Sequence, residues 1–85
     1  MPNDPSVADT LGWIYYKKNA YLLAAELLKE ASEKLPENPV VQYHYGLALH
    51  KNGNSSLAKK TLESALKLNQ NFQGADEARK VIKEL

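Results

Sequence analysis

The stretch "PENPVVQYHYG" at residues 36–46 has a near-echo in "PNDPSVADTLG" at residues 2–12, displaced by 34 positions. Sliding the chain by that distance sets Pro2 on Pro36, Pro5 on Pro39, Val7 on Val41, Gly12 on Gly46 and Lys17 on Lys51. The agreement runs on through Leu23 with Leu57, Ala24 with Ala58, Leu28 with Leu62 and Ala31 with Ala65. Identities concentrated in small and apolar residues at this period mark stacked helical pairs, each too small to bury its apolar face alone.

Inside each period the apolar residues keep helical spacing. Val7, Leu11, Ile14 and Tyr15 form one set and Leu23, Leu27, Leu28 and Ala31 the next, with no strand-like alternation. Pro5 and Pro39 suit first-turn positions behind Asp4 and Asn38 as caps, because a helix start has no use for the missing N–H. Gly53 can end a helix in the left-handed conformation, and Asn19, its counterpart, is the next most tolerant residue there; Ser55 or Ser56 is then expected to cap the following helix. The pattern predicts an all-α fold of five helices at 5–18, 21–35, 39–52, 55–68 and 72–84: two stacked antiparallel hairpins and a C-terminal capping helix.

Gly12 and Gly46 fall inside helices, where each costs about 1 kcal/mol relative to Ala. Close approach of the partner helix is the compensation expected, with Ala24 and Ala58 as the small residues facing them.

These residues resemble the tetratricopeptide repeat (TPR) family, whose pattern runs Trp-x2-Leu-Gly-x2-Tyr, then Ala-x3-Phe, then Pro. The first unit offers Ala8, Leu11, Gly12, Tyr15, Ala24, Leu28, Ala31 and Pro36; the second offers Gln42, Tyr45, Gly46, Leu49, Ala58, Leu62, Ala65 and Gln70. The resemblance implies one repeat at 5–38, a second at 39–72 and a cap at 73–85, with 1–4 as the tail of a preceding repeat. In that register Pro2 is a repeat-ending proline, so the chain is expected to be the C-terminal end of a longer array, with Met1 added. The tail is also similar to the ends of bacterial multi-repeat proteins of this family. In "NFQGADEARKVIKEL" Arg79 and Lys80 replace the Leu-Gly pair, while Phe72, Ala75, Ala78, Ile82 and Leu85 keep one apolar stripe, as a solvating cap requires.

Composition removes several classes of function. With 11 basic and 10 acidic side chains the 85-residue chain has a formal charge of +1, far from the positive field that nucleic acid or an anionic membrane demands. It has no Cys, hence no structural thiol zinc site, redox pair or thiol nucleophile, and the compartment stays open between cytoplasm and periplasm. The longest strictly aliphatic run, "LLAA" at 22–25, predicts no membrane insertion. His44 and His50 are six apart, off the three- or four-residue spacing of a helical metal pair, so no metal is expected. No glycine-rich phosphate loop and no nucleophile–base pair is legible; neither cofactor nor enzyme activity is expected.

In the family, ligands lie in the concave groove lined by the first helix of each repeat. Opposite the Val7–Leu11–Ile14 stripe, helical geometry places Ser6, Asp9, Trp13, Tyr16 and Lys17, with Val40, Tyr43, Leu47, His50 and Lys51 in the second unit. The candidate groove set is therefore Asp9, Trp13, Tyr16, Lys17, Tyr43, Leu47, His50 and Lys51, aromatics rimmed by charge in the manner of peptide-recognition surfaces. The carboxylate clamp of chaperone-tail repeats is lacking, since Asp9, Trp13 and His44 stand at the matching places. The function expected is noncatalytic binding of a protein or peptide segment. The alternative is a structural array end with no ligand, in which Trp13, Tyr16 and Tyr43 pack on one another. Either way the face of the first helix that a preceding repeat would cover, including Val7 and Ile14, is expected to be open and to favour weak homodimerisation of the isolated chain.

Overall fold

The computed structural model describes residues 4–85, and among them it forms five helices and no strand. The expected repeat tail at 1–4, with Pro2 as its mark, lies outside the described residues except for Asp4. Helices α1 (Pro5–Lys17) and α2 (Tyr21–Lys34) make the first antiparallel hairpin, α3 (Pro39–Lys51) and α4 (Ser55–Leu68) the second, and α5 (Ala75–Glu84) follows. α2 packs against α3, joining the hairpins, and α5 lies on α4 and reaches α3. Among the described residues no helix is long and apolar enough to cross a membrane.

The helix starts at α1 and α3 follow from their caps. Asp4 Oδ1 accepts the Ser6 N–H at 2.8 Å, and Asn38 Oδ1 accepts those of Val40 and Val41 at 3.0 and 3.2 Å, each cap followed by proline at the first helical position. Within each hairpin backbone bonds close the turn, and in the first the Tyr21 hydroxyl also donates to Asn19 Oδ1 at 2.8 Å. Asn19 (φ 66°) and Gly53 (φ 81°) take the left-handed conformation. The Asn19 and Ala20 N–H groups bond to the carbonyls of Tyr16 and Tyr15, and those of Gly53 and Asn54 to His50 and Leu49. These are two copies of the Schellman closure.

That closure corrects the expected cap of α4. Asn54, not Ser55 or Ser56, occupies the N-cap position, and its side chain makes no capping bond; Ala20 does the same office for α2 with no polar side chain at all. A tight turn that feeds its own amides into the preceding helix has no further need of a side-chain acceptor to fix its course.

The interior glycines are also corrected. A methyl group built on Gly46 would lie 2.6 Å from Leu62 Cδ2 and 2.7 Å from its Cγ, and one on Gly12 would lie 2.7 Å from Leu28 Cγ. The compensation for each glycine is therefore a large residue seated on it, and not Ala24 or Ala58. Leu28 and Leu62 are 0% exposed and are the largest side chains so enclosed. Their burial, worth about 1.5–3 kcal/mol each, outweighs the helix penalty of the glycine beneath.

The last helix begins at Ala75, three residues later than the spacing predicts, because Gly74 adopts φ 111° and ends the turn from Asn69. Phe72 stands in that turn, buried against Tyr43, whose ring leaves no room for a side chain on Gly74. Along α5 the buried residues are Ala75, Ala78 and Val81, with Ile82 and Leu85 half-buried at the margin.

Replacing Gly46 with Ala should destabilise the fold by about 1–3 kcal/mol through overpacking, despite alanine's better helix propensity. In a Leu62→Ala background, itself costing about 2–5 kcal/mol, the added cost should vanish. Thermal melts of the four members of the cycle test this, and additive losses would show that the two side chains do not meet.

Candidate functional site

α1, α3 and α5 converge on a concavity of about 320 Å³. Six of the eight sequence-predicted groove residues bear on it directly: Trp13, Tyr16, Tyr43, Leu47, His50 and Lys51 are in its lining. Their helical spacing on α1 and α3 puts them on one side of the stack, where those two helices run side by side. Lys17 stands at the margin with its ammonium 5.4 Å from the Trp13 ring centroid, within cation–π range. Asp9 lies deeper, turned toward α3.

Asp9 Oδ1 is 2.8 Å from His44 Nδ1, and both side chains are largely enclosed. An ionised carboxylate only accepts, so the imidazole donates from Nδ1. This bond ties α1 to α3 across 35 positions of sequence. The His44 ring stacks on Trp13 with centroids 4.0 Å apart and planes at 16°, and Tyr16 stacks on Trp13 at 4.9 Å and 5°. Trp13 is thus paired with two rings at once, His44 from the second hairpin and Tyr16 from its own helix.

The predicted residues divide accordingly. Tyr43 and Leu47 are buried in the largest apolar cluster, with Leu62, Phe72, Ala78 and Val81. Trp13 and Tyr16 are half-buried against it. His50 has its Nδ1 buried with no hydrogen-bond partner among the described residues. Lys51 is exposed, its ammonium 5.9 Å from the Tyr21 ring.

Four lining residues were missed by sequence reasoning: Glu77, Lys80, Val81 and Glu84, all from α5. Read as a solvating cap, that helix offers its charges to water. In the fold it offers three of them to the concavity. The signal was present in the spacing of 77, 80, 81 and 84, a helical face adjoining the apolar stripe. A wider depression on the outer side of α4, lined by Lys60, Glu63, Lys67, Gln70 and Arg79 among others, holds no aromatic residue.

The enclosure shows in the tyrosines. Burial pushes the Tyr16 phenol up to about 12, helped by the charges that Tyr21, Tyr43 and Glu77 would present to its phenolate. Tyr43 and Tyr45 are raised as well, again chiefly by burial, with Glu77 and Glu33 adding to it respectively.

A family model for the tetratricopeptide repeat matches residues 15–79. The match spans well over half of the chain and agrees with the paired helices, so the chain belongs to the tetratricopeptide repeat family. Repeats of this family are protein-interaction scaffolds without catalytic machinery of their own. Among curated proteins no match to the chain was found.

Since Tyr16 titrates near 10 unfolded and about 12 folded, the stability it contributes is complete below pH 10 and is lost as pH rises toward 12. Tyr16→Phe should therefore flatten the fall in melting temperature over that window. Parallel curves for the parent and the variant would show that the phenol is as hydrated folded as unfolded.

Proposed function

We propose that this chain is a noncatalytic interaction module that holds a short protein segment in the concavity between α1, α3 and α5. The observation that carries this reading is the lining itself: Trp13 and Tyr16 supply an aromatic floor, and Lys51, Lys80, Glu77 and Glu84 bring charges of both signs to the rim. Apolar floors with polar rims are how interfaces divide affinity from orientation. Segments suited to this site carry an apolar or aromatic side chain for the floor and charges of both signs around it. The groove borders the buried apolar cluster, so its floor is set by the fold before any ligand arrives.

A second reading has its own observation. Trp13 is stacked with two rings at once, and Tyr43 is enclosed by Phe72 and Gly74, so the aromatics also serve as the splice between hairpins. On that reading the chain is a structural element of a repeat array and the rim charges are solvent-facing.

Peptide display against the folded chain separates the two. Selected ligands should change the emission of Trp13, the sole tryptophan, and should bind the exposed-charge variants Lys51→Glu and Lys80→Glu at least about tenfold more weakly, or about 1.4 kcal/mol. Ligands that ignore both variants, or an empty selection, would leave the splice as the role of the aromatics.

A further inference from the structure

The side of α1 turned away from the groove carries Val7, Leu11 and Ile14, which are 54%, 40% and 45% exposed. The equivalent places on α3 show what such a face does when covered: Val41 is 3% and Ala48 0% exposed, and Tyr45 is half-buried, packed against α2 and its neighbours. Ser6 and Thr10 border the α1 strip, both short and uncharged.

We propose that two copies of this chain associate through this face, their α1 helices antiparallel about a twofold axis near Leu11, with Val7 of each against Ile14 of the other. Three observations select a second copy in this arrangement. Spacings of four and three residues between Val7, Leu11 and Ile14 make a straight seam along one side of a helix, the form two helices need to pack lengthwise. The charges at the ends of the seam are complementary under the twofold operation. Asp4 and Lys18 each stand seven residues from Leu11, about 10 Å along the axis, so each carboxylate meets the other copy's ammonium and the helix dipoles oppose. Asp4 uses one oxygen to cap its own helix, and Lys18 makes no ion pair among the described residues.

The third observation is topological. Head-to-tail stacking in the repeat register would set α1 of one copy on the α4 of the next, as α3 sits on α2. α5 already covers that side of α4 with Ala75, Ala78 and Val81. Open growth is blocked, and a closed isologous pair is what remains.

One helix face from each copy buries less than the ~1,200 Å² total of stable complexes, so the dissociation constant should lie on the order of 0.1–1 mM. NMR diffusion of the intact chain from about 20 µM to about 2 mM should show concentration-dependent association. Ile14→Glu should abolish it with the helical circular dichroism unchanged, and Lys18→Glu should weaken it several-fold, most at low salt. Because the chain has no cysteine, single variants report the register. Under oxidised glutathione, Leu11→Cys should form a disulfide dimer several-fold faster than Val7→Cys or Ile14→Cys alone, and mixing the latter two should give the heterodimer. Equal rates at the three positions, association that survives Ile14→Glu, or a monomer up to about 1 mM, which would leave the strip to a helix of another polypeptide, would each overturn the proposal.

Discussion

The seating of Leu28 on Gly12, repeated by Leu62 on Gly46, governs the rest of the structure. Each leucine lies fully enclosed at a point where the opposite helix offers bare backbone, and a methyl group there would intrude to within 2.7 Å. Each hairpin is consequently drawn close on that side. The small residues along the same faces, Ala24, Ala31, Ala58 and Ala65, are then wholly buried as well. With both hairpins built to the same separation, α2 meets α3 in register and α1 comes alongside α3. That second approach is what brings Trp13 onto His44 and Asp9 within hydrogen-bonding distance of it.

α5 performs two jobs through two adjoining faces. Its small residues lie on the second hairpin, and its charged residues lean over the concavity beside Lys51 and His50. The chain reaches this placement through Gly74, whose left-handed backbone and missing side chain let Phe72 and Tyr43 close against each other just before the helix starts. A cap required for burial thereby becomes a wall of the concavity, which is bounded by three helices.

The sequence disclosed the architecture because the fold is made of local rules written twice. The Asp4-Pro5 and Asn38-Pro39 starts, the Asn19 and Gly53 turns and the apolar spacing each announce an element within a few residues of chain. What stayed hidden depends on facing partners. Gly12 could be seen to need a close neighbour, but the identity of that neighbour, Leu28 in place of Ala24, follows from the helix crossing. Asp9 and His44 sit 35 positions apart with nothing in either local pattern to join them. That Trp13 and Tyr16 on α1 share a face with Tyr43, Leu47, His50 and Lys51 on α3 was legible from helical periodicity, and that face lines the concavity. Its third wall was not, because a period-based reading of "GADEARKVIKEL" separates apolar from charged residues without saying which part of the charged side looks back at the stack.

The pattern of helix contacts also bears on how quickly the chain can find this structure. Most of its packing joins helices adjacent in sequence, so either hairpin can form on its own terms and little loop-closure entropy is spent before contacts accumulate. Two approaches join helices that are not neighbours in sequence, α5 to α3 and α1 to α3, and the second carries the stack of Trp13 on His44 and the Asp9–His44 bond, each joining residues more than thirty positions apart. That second approach can form only after both hairpins stand side by side. These aromatic residues are therefore suited to be the last to settle, and the tryptophan among them makes that final step the one a folding experiment sees by fluorescence.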